Sequence, residues 1–217
     1  MDYEAARHNM IEQQIRTWEV LDRGVLELFQ EVHREDFVPP EFRQLALADT
    51  NIPLAHGQVM MAPRVEARLL QSLAIEPDDR ILEIGTGTGF LTALLAQLGG
   101  FVTSLDLFDD FTQAARQRLQ KAGAANVRIE TADGLEGWPA DGPYDAIAVT
   151  GSVPVYLPVY QEQLAVDGRL FIITGTAPVM EAMLVTRVGE REWATENLFE
   201  TQILPLIGAP APEAFRF

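Results

Sequence analysis

Between residues 3 and 32 the apolar positions recur every three or four places: Met10, Ile11, Ile15 and Trp18, then Val25, Leu26 and Phe29. That spacing gathers them on one face of a helix, so the chain is expected to open with a pair of amphipathic helices, the second capped by Asp22. Phe37-Val38-Pro39-Pro40 breaks the pattern, because proline restricts its own backbone and that of the residue before it. A loop follows through residues 49–63, and helical spacing resumes with Val65, Leu69, Leu70 and Leu73.

From residue 80 the period changes. Short apolar runs at Arg80–Ile84, Phe101–Leu105, Val127–Thr131, Tyr144–Thr150 and Arg169–Thr174 read as strands. Helical patterns separate them: Phe90–Leu98, and the series Phe111, Ala115, Leu119 that stops at Gly123. Strand and helix in alternation predict an open parallel sheet with helices on both faces. Near the C-terminus, Met183–Val188, the turn Gly189-Glu190-Arg191 and Ala194–Ile207 read as two long strands joined directly, hence antiparallel. The expectation is one α/β domain: a helical N-terminal region and loop over 1–76, and a sheet-bearing core over 77–217.

Composition narrows the function. A chain of 217 residues, 47% hydrophobic and 22% charged, is long enough for one well-cored domain. No apolar run approaches a membrane span, and MDYEAARHNM lacks the basic and apolar regions of a secretory signal, so a cytoplasmic protein is expected. The absence of cysteine excludes disulfides, thiolate metal sites and a cysteine nucleophile; His8, His33 and His56 have no metal-ligand spacing, so no metal is expected. A formal net charge of −16 opposes nucleic acid and anionic membranes as partners.

The strongest chemical signal is Ile81-Leu82-Glu83-Ile84-Gly85-Thr86-Gly87-Thr88-Gly89, an apolar strand running into a glycine-rich turn and then a helix. Such a turn lets backbone approach a ligand closely and aims helix amides at its polar groups. The spacing is G-x-G-x-G, not the G-x-G-x-x-G of dinucleotide sites. Glu83 would repel a pyrophosphate but suits a cationic ligand. Asp106, at the end of the next strand, can accept from ribose hydroxyls, with Leu107 beside it; Asp133-Gly134 follows the third strand at the same edge of the sheet. A nucleoside with a cationic, amino-acid-like tail fits this set, and S-adenosylmethionine is such a molecule.

With these motifs the chain resembles the S-adenosylmethionine-dependent methyltransferases, and among them the protein-L-isoaspartate O-methyltransferase family. The markers are MIEQQIR at 10–16, REDFVPPEFR at 34–43, LAHGQ at 54–58, LEIGTGTGF at 82–90, ADGLEGWP at 132–139, PYDAIAVTG at 143–151, LAVDGRLFIITG at 164–175 and LPLIG at 204–208. The resemblance implies a Rossmann-like seven-stranded sheet with its last strand antiparallel, and methylation of isoaspartyl carboxylates in damaged proteins or peptides. It implies that Glu83, Gly85, Thr86, Gly87 and Gly89 form the cofactor loop, that Asp106 holds the ribose and that Asp133 and Gly134 lie beside adenine. Trp138 reads as a packing residue.

One loop departs from the pattern. Where family members carry T-I-S, with the serine at the reacting centre, this chain has Val59-Met60-Met61. His56 and Gln58 remain as polar groups on the substrate side, and Ser152 is a candidate substitute hydroxyl. Three readings follow: an isoaspartyl methyltransferase, a relative with another methyl acceptor, and a protein that binds the cofactor without repair activity.

Overall fold

A computed structural model of the chain describes residues 2–212. Helix α1 (Tyr3–Met10) starts at Asp2, whose carboxylate accepts from the Ala5 amide at 3.1 Å. It continues through a π-helical turn (Ile11–Ile15) and a 3-10 turn (Arg16–Trp18), so the first of the paired helices is less regular than its spacing predicts. Helix α2 (Arg23–Glu31) is capped by Asp22, which accepts from the Val25 amide at 3.0 Å. Strands β1 (Ile52–Pro53) and β2 (Val59–Met60) pair as a short antiparallel hairpin inside the expected loop, and α3 (Pro63–Leu73) follows.

The remaining elements alternate: β3 (Arg80–Ile84), α4 (Phe90–Leu98), β4 (Phe101–Asp106), α5 (Asp109–Lys121), β5 (Val127–Thr131), β6 (Tyr144–Val153), α6 (Pro158–Glu162) and β7 (Leu164–Thr176). Strands β8 (Val179–Gly189) and β9 (Glu192–Thr201) close the sheet, whose order is β5-β4-β3-β6-β7-β8-β9. Five strands are parallel; β8 runs antiparallel to β7, and β9 antiparallel to β8. The chain winds outward from β3 to β5 and then crosses to the other side of β3. Beyond the carboxyl ends of β3 and β6 this leaves the crevice in which open α/β sheets bind ligands.

One apolar cluster packs the cap and helices onto the sheet, with Phe90 of α4 edge-on to Phe29 and Phe37 at 5.8 and 5.5 Å. A second, including Leu82, Ile84, Tyr144, Ile147 and Tyr160, fills the opposite face. The last strand stops at Thr201 and not at Ile207. Residues beyond it turn back on β6: the Ser152 amide donates to the Leu204 carbonyl at 3.0 Å, and the Leu206 amide to the Ser152 carbonyl at 2.9 Å.

Candidate functional site

The turn after β3 is bound to the end of β4. Amides of Gly85 and Thr86 both donate to the Leu105 carbonyl, at 2.8 and 3.0 Å. Gly85 has φ +99°, and a Cβ there would collide with Oγ1 of Thr150, which lies 2.9 Å from the carbonyls of both Ile84 and Gly85. Asp106 closes the arrangement from the other side. One carboxylate oxygen accepts from the Gly87 amide at 2.8 Å, the other from the Phe108 amide at 3.0 Å. Burial raises the Asp106 pKa above the usual aspartate value, and the amide bonds oppose the rise.

Glu83 lies beneath this loop and is fully buried. Its Oε2 accepts from Thr92 Oγ1 at 2.5 Å and Ser104 Oγ at 2.6 Å, and Ser104 in turn meets the Thr86 hydroxyl at 2.6 Å. Its Oε1 has no partner. Burial pushes this carboxyl up to about 8 against the two hydroxyl bonds, with smaller pushes from Asp106 and Glu66. Glu83 lines a small cavity with Met60, Met61, Glu66, Thr86 and Thr88. A buried acceptor without a donor is what an entering cation relieves.

A crevice opens beyond the carboxyl ends of β3, β4 and β6, where open α/β sheets bind ligands. Gly85, Gly87, Asp106, Leu107, Asp133 and Gly134 line it, so the strand-end residues singled out in the sequence converge on one space. Gly134 is held close to β3: a Cβ there would sit 2.7 Å from Ile84 Cγ2. Asp133 accepts from the Leu135 amide at 3.0 Å and remains exposed at the edge. Gly89 starts α4 and faces Ala115. Trp138 is half-buried away from the crevice, its indole donating to Asp141 at 3.0 Å, as befits a packing residue.

The β1–β2 hairpin overhangs the crevice. Its tip is closed by the Leu54 amide donating to the Gln58 carbonyl at 2.8 Å, and Gln58 and Val59 join the lining. His56, at the exposed tip, stacks on Phe108 (3.8 Å, 6°) and holds Nε2 at 3.0 Å from both Asp110 oxygens. Met61 is buried and borders the small cavity beside Glu83. Behind it, Arg34 donates to the Met61 carbonyl at 2.5 Å and the Ala46 carbonyl at 2.9 Å, and forms a buried ion pair with Glu66. Burial pushes Glu66 up to about 7 although Arg34 pulls it down. Ser152 is not brought into the crevice; its hydroxyl lies 3.2 Å from the Ile203 carbonyl and helps fix the wall made by Leu204–Ile207.

Several lining residues have no role in the sequence reading. Thr150 lies in the marker PYDAIAVTG and Leu204–Ile207 in LPLIG without a role assigned to either, Phe111 reads as part of a helical series, and Phe108 carries no sequence signal. Their shared feature is position: Thr150 lies in the carboxyl-end half of β6, Phe108 and Phe111 lie between β4 and the first turn of α5, and Leu204–Ile207 follow β9. Among the described residues no cluster of three metal-ligating side chains occurs, and no helix is long and apolar enough to cross a membrane.

Comparison with known proteins gives a consistent answer. The profile of the family described as Protein-L-isoaspartate(D-aspartate) O-methyltransferase matches residues 5–210. Protein-L-isoaspartate O-methyltransferase 2 of Pelobacter propionicus is 36% identical over 207 residues, covering 95% of this chain and 92% of that one. Protein-L-isoaspartate O-methyltransferase 1 of Rhodopseudomonas palustris is 35% identical over 222 residues, covering 99% and 91%. A putative protein-L-isoaspartate O-methyltransferase from Plasmodium falciparum, solved with S-adenosyl-L-homocysteine, superposes with a TM-score of 0.79 at 18% identity, covering 95% of this chain and 98% of that one.

Proposed function

The chain belongs to the protein-L-isoaspartate(D-aspartate) O-methyltransferase family, and from that premise we propose that it methylates isoaspartyl carboxylates of damaged proteins, with S-adenosylmethionine as donor. The observation that carries the cofactor reading is the unpartnered, fully buried Oε1 of Glu83 beside a glycine turn. Glu83, Gly85, Thr86, Gly87 and Gly89 hold the cationic, amino-acid end. Asp106 and Leu107 receive the ribose, and Asp133 and Gly134 flank the adenine. Bound there, the cofactor supplies a methyl group on a sulfonium, which is electrophilic without further activation.

An acceptor carboxylate is already ionised at neutral pH, so this chain needs no general base. What its residues contribute is alignment and exclusion of water. Val59 and Met61 present apolar surface on the hairpin side, with His56 at its tip. Gln58 carries the one side-chain amide among the described crevice-lining residues; its Nε2 donates to the His56 carbonyl at 3.3 Å, and its second N–H orients the acceptor carboxylate. A cytoplasmic setting, with damaged proteins as partners, goes with this reading. Incubating the chain with labelled donor and an aged, isoaspartate-rich protein tests it: base-labile methyl esters form on the aged protein and not on a fresh sample. Equal labelling of both contradicts the reading.

Val59 and Met61 favour a second reading, a family member with a different acceptor. The double substitution Val59→Thr, Met61→Ser separates the two. If isoaspartate is the acceptor, restored hydroxyls raise kcat/KM roughly tenfold, the worth of one hydrogen bond to a charged group. Undetectable isoaspartyl activity before and after the change favours the other acceptor. Because Met61 is buried, the exchange costs about 2–4 kcal/mol of stability, so the assay belongs well below the melting temperature.

A further inference from the structure

The hairpin is anchored at its base, where Ile52 and Met60 are buried in the core, but its tip, Ala55–Gly57, is exposed and has little to hold it in place by itself. It has two register pairs, Ile52 with Met60 and Pro53 with Val59, too few to be stable in isolation. Its tip residue His56 adopts φ +57°, a left-handed conformation that a non-glycine side chain occupies at a cost in strain. A strained residue at an exposed tip persists when its side chain is held. Three contacts hold this one: the parallel stack on Phe108 at 3.8 Å, the Phe111 ring edge at 5.4 Å, and Asp110 at 3.0 Å from Nε2.

All three partners belong to the segment that leaves β4. The Phe108 amide donates to the Asp106 carboxylate, and Phe108 and Phe111 both line the crevice. One ring stack and one hydrogen bond therefore separate the hairpin tip from the carboxylate assigned to the ribose. We propose that His56 is a positioning residue: it ties the acceptor hairpin to the cofactor wall, so that cofactor binding orders the hairpin tip, residues 54–58. The inference rests on the cofactor reading above. A His56 that served only surface packing would steady the hairpin equally with and without ligand.

Hydrogen exchange of the full chain with and without S-adenosylhomocysteine, together with calorimetric Kd values, tests the coupling in the wild type, His56→Ala and His56→Phe. In the wild type, ligand slows exchange of the Leu54 and Gln58 amides. His56→Ala weakens S-adenosylhomocysteine binding roughly two- to tenfold, the range expected from losing one aromatic contact, and removes that ligand-dependent slowing. His56→Phe keeps the stack and restores most of both effects. The ligand-free melting temperature falls only slightly in His56→Ala, because the tip residue is exposed and the core is untouched. If His56→Ala keeps the wild-type Kd and the ligand-dependent slowing, the inference is overturned while the cofactor reading stands. If it merely lowers the ligand-free melting temperature, and His56→Phe restores nothing, the role is structural and the inference is likewise overturned. A wild type that does not bind S-adenosylhomocysteine overturns the cofactor reading and the inference together.

Discussion

Glu83 is buried with one oxygen unpartnered, so the ligand-free protein favours its neutral form. The consequence for pH has a definite sign. A carboxyl raised from 4.5 to about 8 on folding binds a proton in the folded state that the unfolded chain has released. Its contribution is fully present below about pH 4.5 and is lost as pH rises through about 8. Glu66, raised to about 7, adds a loss of the same sign over a lower window. Urea unfolding of the ligand-free protein from pH 5 to 8 is therefore expected to show falling stability. Glu83→Gln, neutral at every pH, flattens the slope by up to roughly 1.4 kcal/mol per pH unit; parallel slopes contradict the assignment. The positions of Glu83, Gly85, Asp106 and Asp133 were legible because strand ends fix them relative to one another. The surroundings of Ser152 were not, since the carbonyl facing its hydroxyl belongs to Ile203, 51 residues away.

At the scale of elements, the main chain around Val59–Met61 is held by the side chains of Arg34 and Asn51 and not by hydroxyl side chains. Arg34 grips the Met61 and Ala46 carbonyls, and Asn51 accepts from the Ala62 amide at 2.9 Å. Replacing Arg34 leaves Glu66 buried without its partner. Arg34→Met is expected to cost about 3–5 kcal/mol near pH 8 and less near pH 5, where Glu66 takes up a proton. Adding Glu66→Leu restores much of the loss; equal losses at both pH values, measured by urea unfolding, contradict this account of the pair. The sheet strands were legible from alternation with helices. The ends of the last two were not: Ile203-Leu204-Pro205-Leu206-Ile207 has strand-like apolarity, but it bonds to Ser152 of β6 and builds the crevice wall. The π-helical turn at Ile11–Ile15 left no mark in the three-and-four spacing, which a single turn hardly disturbs.

Across the whole molecule, seven strands, a switch point beside β3 and a family match over residues 5–210 agree on the reading. The net charge of −16 then acts on the acceptor. Isoaspartyl peptides flanked by lysine are expected to have a lower KM than those flanked by glutamate. Raising ionic strength from about 0.02 to about 0.5 M narrows the difference, because screening shortens the reach of the field. A difference that salt leaves untouched assigns the preference to direct contacts. The most direct test of the central claim uses two synthetic peptides of one sequence, differing only in whether a single residue is isoaspartyl or aspartyl. With labelled S-adenosylmethionine, the account predicts base-labile methyl ester on the isoaspartyl peptide alone. A chain that binds S-adenosylhomocysteine yet labels neither peptide, or both equally, contradicts it.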